Sequence, residues 1–101
     1  MALLTTEQLQ ARLAQLPGWE IREGLLTKTF TVRSFVHGAL FMSAIAQLAE
    51  AADHHPDVSL HDYKRVTVSL STHSEGGITE KDFALAAQIE ALPQKKPKEA
   101  S

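Results

Sequence analysis

Residues 34–57, SFVHGALFMSAIAQLAEAADHHPD, decide the fold. Ser34 offers an N-cap oxygen, and residues 35–49 carry no charge at all. A helix over this span must be covered on more than one side. Pro56 disfavours α geometry at His55, so the helix stops before it and His54 and His55 sit in the turn leaving its C-terminus.

Working outward, each flank of this helix reads as a strand pair. Upstream, residues 19–22, a glycine at 24 and residues 25–33 (LLTKTFTVR) predict a hairpin in which Phe30 and Val32 alternate with Thr29 and Thr31. Downstream, residues 58–60 and 63–71 predict a second one. In KRVTVSLS, Val66, Val68 and Leu70 share one face, and Thr67, Ser69 and Ser71 make the other polar without charge.

Farther out, Thr5 or Thr6 can cap a helix with Leu9, Leu13 and Leu16 at i, i+4 and i+7, broken by Pro17-Gly18. At the other end, Thr79 with Asp82 three residues on is a capping pattern for DFALAAQIEAL, whose Leu85, Ile89 and Leu92 lie on one side. The order is α-ββ-α-ββ-α, an α+β fold with helices packed on one face of a four-stranded antiparallel sheet. We expect a single domain over residues 1–93 and a frayed polar tail over 94–101. The apolar excess on residues 35–49 predicts a homo-oligomer.

Composition narrows the function classes. A net charge of −2, with ten Lys and Arg spread along the chain, argues against direct nucleic-acid binding. Without cysteine there is no disulfide, thiolate metal site or cysteine nucleophile. No secretory leader pattern and no apolar run of the ~20 residues a membrane span needs is found, so a cytoplasmic protein without a membrane role is expected.

The histidines carry what chemistry the sequence offers. His54 and His55, in a turn made rigid by Pro56, can reach two sides of one bound molecule, and the negative end of the helix dipole favours imidazolium there. The plainer reading, that the pair only caps the helix, stays open. His73 lies in STHS, where a strand runs out toward Gly76-Gly77, either at a site or in a solvated turn. Glu50, four residues before His54, would lie one helical turn below it and can orient its imidazole or remain a solvated helix-end charge. Asp82 reads first as a capping group, and Asp53 and Asp57 as turn formers. His37 and His61 read as structural. Zinc is disfavoured, because adjacent histidines diverge and no His-Glu-x-x-His helix is present.

Taken together, Glu50, His54-His55-Pro56, Tyr63, His73 and Asp82, at fixed gaps over 33 positions, resemble the signature of the pterin-4a-carbinolamine dehydratase family. STHSEGGITEKD is similar to that family's second motif, and the predicted element order to its fold. The resemblance implies dehydration of 4a-hydroxytetrahydropterin to quinonoid dihydropterin, recycling the pterin of an aromatic amino-acid hydroxylase such as phenylalanine hydroxylase, with no metal or organic cofactor. It implies that His54 and His73 are general acid/base groups, that His55 mainly holds the pterin, and that Asp53, His54, His55, Ser71, Thr72, His73 and Ser74 line the pocket. Glu50, Pro56 and Asp82 would support it. Homotetramers or dimers are implied. The alternative is a dehydratase-like binding module that serves as an assembly or dimerization factor. DVSLHDY after Pro56 departs from the aromatics of animal members.

Overall fold

The computed structural model describes residues 2–94 and residue 96. Along the chain lie α1 (Thr6–Leu13), β1 (Glu20–Arg22), β2 (Leu25–Thr31), α2 (Phe35–Ala52), β3 (Asp57–His61), β4 (Arg65–Leu70), a one-turn 3-10 helix (His73–Glu75) and α3 (Glu80–Glu90). The sheet order is β1-β2-β4-β3 with every neighbouring pair antiparallel, so the two hairpins join through β2 and β4. The expected α+β architecture is present. The tail expected over residues 94–101 lies, apart from Gln94 and Lys96, outside the described residues.

The central strands meet in register, with Leu26 opposite Leu70 and Phe30 opposite Val66. Those side chains are buried under the helices together with Val68, Phe41, Ile45, Leu85 and Ile89. Phe30 anchors the centre, meeting Trp19 and Phe41 edge-on at ring separations of 5.9 and 5.0 Å. The opposite face is the polar one the alternation predicted. There Thr29 and Thr67 join hydroxyls at 2.8 Å, and Thr27 and Ser69 at 3.1 Å.

Lys28 lies between Leu26 and Phe30 on β2 with its side chain only 18% exposed. Glu90 of α3 resolves this: its Oε1 accepts from Lys28 Nζ at 2.6 Å and from Trp19 Nε1 at 2.8 Å, while Gln94 Nε2 donates to Oε2. Burial pushes the Glu90 carboxyl up, but the bonds from Lys28, Trp19 and Gln94 outweigh it and hold the group below its ordinary value. At the other end of α3, Glu80 takes two bonds from Arg12 of α1 and raises the guanidinium pKa.

α2 buries one stripe, Gly38, Phe41, Ile45 and Ala49. Gly38 lies in close approach to β3: a Cβ there would lie 2.7 Å from Leu60 Cδ1, so the Leu60 side chain would have to shift. Phe35, Val36 and Leu40 are each about 60% exposed, so the apolar excess does fall on this helix. Contrary to the expectation that no segment reaches membrane-spanning character, α2 passes by length and composition alone, with a mean hydropathy of 1.3 over 18 residues. Its buried stripe is nevertheless committed to the protein's own core.

Element ends differ from the sequence reading by up to three residues: Asp57, read as a turn former, opens β3, because Pro56 before it holds the chain extended and Asp57 pairs with Ser69. α1 ends at Leu13, and buried Leu16 follows in a turn, because Pro17 disfavours α geometry at the residue before it. Tyr63, read as the start of a strand, lies in the β3-β4 loop with Asp62; both have left-handed φ values, 50° and 49°. Such paired left-handed residues match the twist of antiparallel strands.

Candidate functional site

The site begins where α2 ends. Asp53, the C-cap, adopts left-handed geometry (φ 49°, ψ 45°), and the His54 N–H closes back onto the Ala49 carbonyl at 3.0 Å. That turn carries His54 inward, where it is 9% exposed, while His55 before Pro56 stays outside.

His54 meets Asp82, which is fully buried in the first turn of α3: Nε2 lies 2.6 Å from Oδ1. The second carboxylate oxygen accepts the Thr72 hydroxyl at 2.8 Å and the Thr79 N–H at 2.9 Å. An ionised carboxylate only accepts, so His54 Nε2 carries the hydrogen and Nδ1 is the nitrogen left for a ligand. Thr72 has spent its proton on Asp82, so the 2.8 Å contact between Thr72 and Thr79 is donated by Thr79, whose oxygen also accepts the Lys81 N–H. Among the described residues no buried side-chain polar atom lacks a partner. Asp82 therefore caps α3, as the spacing predicted, and also fixes an imidazole, which local spacing could not reveal.

Glu50 does not orient His54. It holds His55, whose Nε2 lies 2.5 Å from Glu50 Oε2. The expectation assumed a helix continuing to residue 54, whereas the left-handed turn at Asp53 takes His54 off that face. His73, exposed at the start of the 3-10 helix, makes no side-chain hydrogen bond or ion pair among the described residues. Its loop is closed by the Thr72–Gly77 bridge and by Gly76, whose φ of 73° favours glycine.

Asp53, His54, His55, Ser71, Thr72, His73, Ser74 and Lys81 line one cavity of about 240 Å³. All seven residues expected to line a pocket are thus brought together. Lys81, unmarked by the sequence reading, joins them; its adjacency to Asp82 was the available signal. Glu50 and Pro56 border instead an apolar cavity of about 290 Å³ with Met42, Ile45, Ala49 and Val58, and His55 forms a wall of both. A larger groove of about 440 Å³ crosses the outer sheet face at Thr27, Thr29, Thr67 and Ser69, but no histidine lines it.

His37 and His61 lie elsewhere: His37 Nδ1 bonds Ser34 Oγ at the start of α2, and His61 Nε2 bonds Thr67 Oγ1 on the outer face. Tyr63 is 60% exposed beside Lys64 and is not part of the cavity lining. Among the described residues no group of three or more His, Asp or Glu is arranged to hold a metal ion.

The family model described as pterin 4 alpha carbinolamine dehydratase matches residues 2–92. A Mycobacteroides abscessus protein named "Putative pterin-4-alpha-carbinolamine dehydratase" is 49% identical over 90 residues, spanning 89% of this chain and 95% of its own. One of the same name from Roseiflexus castenholzii is 46% identical over 91 residues, 90% of this chain and 97% of its own. Among solved structures, a transcriptional coactivator/pterin dehydratase from Brucella melitensis superposes with a TM-score of 0.82 at 37% identity, covering 87% of this chain and 95% of that one. A pterin dehydratase-like protein described as a RuBisCO assembly factor in the alpha-carboxysome superposes at 0.58 with 26% identity, covering 72% and 83%. With the family model matching residues 2–92 and relatives 46–49% identical over nearly their whole length, the chain belongs to the pterin 4 alpha carbinolamine dehydratase family.

Proposed function

We propose that the protein dehydrates 4a-hydroxytetrahydropterin to quinonoid dihydropterin and water. The observation that carries this reading is the convergence of His54, His55 and His73 on one small cavity, His54 held by Asp82 and His55 by Glu50. The reaction needs a proton delivered to the departing 4a-hydroxyl and another taken from N5, whose lone pair drives the C–O bond to break. Two imidazoles can supply that exchange, with general acid/base gains of about 10²–10⁴-fold. His54, backed by Asp82, offers Nδ1 in a fixed direction; His73 is free to turn; His55, tied to Glu50, holds the ring. Ser71, Thr72 and Ser74 offer hydroxyl and peptide groups for the polar edge of a pterin. No resident cofactor is required.

In this reading the protein acts in the cytoplasm beside a pterin-dependent hydroxylase such as phenylalanine hydroxylase, and copies associate through the exposed α2 residues Phe35, Val36 and Leu40. A second reading, a non-catalytic assembly or dimerization factor, draws support from the likeness to the RuBisCO assembly factor. The intact histidine set favours the enzyme.

The deciding experiment measures how fast purified protein removes 4a-hydroxytetrahydropterin generated in situ by phenylalanine hydroxylase, followed by ultraviolet absorbance. Acceleration that vanishes in the His54→Ala, His73→Ala double variant supports the dehydratase. No acceleration from folded protein transfers the case to the assembly factor.

A further inference from the structure

Among the described residues Lys81 is the one lysine or arginine lining the histidine cavity. It occupies the second position of α3, between Glu80, which is engaged by Arg12, and Asp82, which is engaged by His54. Among the described residues the Lys81 side chain makes no hydrogen bond or ion pair. A cation in the first turn of a helix also opposes the helix dipole, so its placement is not explained by helix stability. Local rules broken at a cavity without a structural return are expected where function is served.

We propose that Lys81 selects pterins whose C6 substituent carries an anionic group, carboxylate or phosphate. This rests on the dehydratase reading of the same cavity and adds the substrate class. The pterin ring is neutral, so its substituent is the part whose charge can vary. Of the carboxylates nearby, Glu50 is drawn onto His55 and Asp82 is sealed beneath His54. Asp53 remains on the α2 side of the cavity and repels an anion there. The anionic arm therefore runs toward α3, where the flexible four-carbon stem of Lys81 lets the ammonium meet either kind of oxyanion.

The test titrates the full chain with three fluorescent pterins, 6-hydroxymethylpterin, pterin-6-carboxylate and 6-hydroxymethylpterin monophosphate, reading quenching at low and high salt. The expected result is about fivefold tighter binding of one or both charged pterins at low salt, the scale of one exposed ion pair, shrinking as salt rises. The carboxylate and phosphate arms distinguish the two sources of charge. Lys81→Gln should abolish the preference, Lys81→Arg keep it and Lys81→Glu reverse it, with Lys64→Gln in the β3-β4 loop as a control that retains it. Equal affinities in the unaltered protein, or a preference that survives Lys81→Gln, overturn the proposal while leaving pterin binding intact. Failure of all three pterins to bind removes this proposal and the dehydratase reading together.

Discussion

His54 Nε2 and Asp82 Oδ1 lie 2.6 Å apart, joining the turn after α2 to the first turn of α3 across 28 residues of sequence. The same carboxylate accepts the Thr79 N–H that begins α3, so the start of a helix and the aim of an imidazole depend on one buried group. Asp82→Ala should cost about 3 kcal/mol, combining a lost cap with orphaned buried partners. Asp82→Asn, which keeps the volume, should instead alter the hydrogen at His54. Nitrogen NMR should find Nε2 protonated in the unaltered protein, and more Nδ1–H with lower turnover in the Asn variant. An unchanged tautomer with full activity would show that Asp82 serves stability alone.

The three cavity histidines should separate from the two outside it. His54→Ala and His73→Ala should each lower the dehydration rate by about 10²-fold or more. His55→Ala should act mainly on KM, since Glu50 holds that imidazole as a wall. His37→Ala, at the start of α2, should change the rate little. Equal losses at positions 37, 54 and 73 would sink the site assignment.

Acid should expose the Glu90 cluster. Its carboxyl is held below the ordinary value of 4.5 in the folded protein, so its stabilisation is present above that value and is lost as pH falls through the lowered folded value. Glu90→Gln should therefore flatten this part of the acid limb in urea unfolding, and should lower stability at pH 7 by leaving Lys28 poorly paired. A stability difference from the unaltered protein that does not narrow toward pH 3 would contradict this account.

The exposed face of α2 should govern association. Val36→Ser with Leu40→Ser removes apolar surface that is more than 60% exposed in the single chain, so folding should be spared while the oligomer weakens. Sedimentation at matched concentrations checks this. An unaltered protein that remains monomeric at high concentration would refute the oligomer.

Much of this was legible in sequence because it depends on near neighbours. Ser34, the charge-free run after it and Pro56 bound α2; the alternation at Val66, Val68 and Leu70 chose the buried sheet face; Thr79 with Asp82 started α3. The fixed spacing from Glu50 to Asp82 pointed to the family, and the two stretches Asp53–His55 and Ser71–Ser74 supplied seven of the eight residues that line the cavity. These readings hold because hydrogen-bond caps and side-chain periodicity act over a few residues. What only the tertiary structure decided depends on backbone choices and distant partners. The left-handed turn at Asp53 gave Glu50 to His55 and His54 to Asp82; the β2-β4 pairing put Lys28 where Glu90, far along the chain, pairs with its charge; and the packing of α3 against the strand end carried Lys81 to the cavity. No local pattern encodes such meetings, because the free energy that selects them is released only when the whole core is buried.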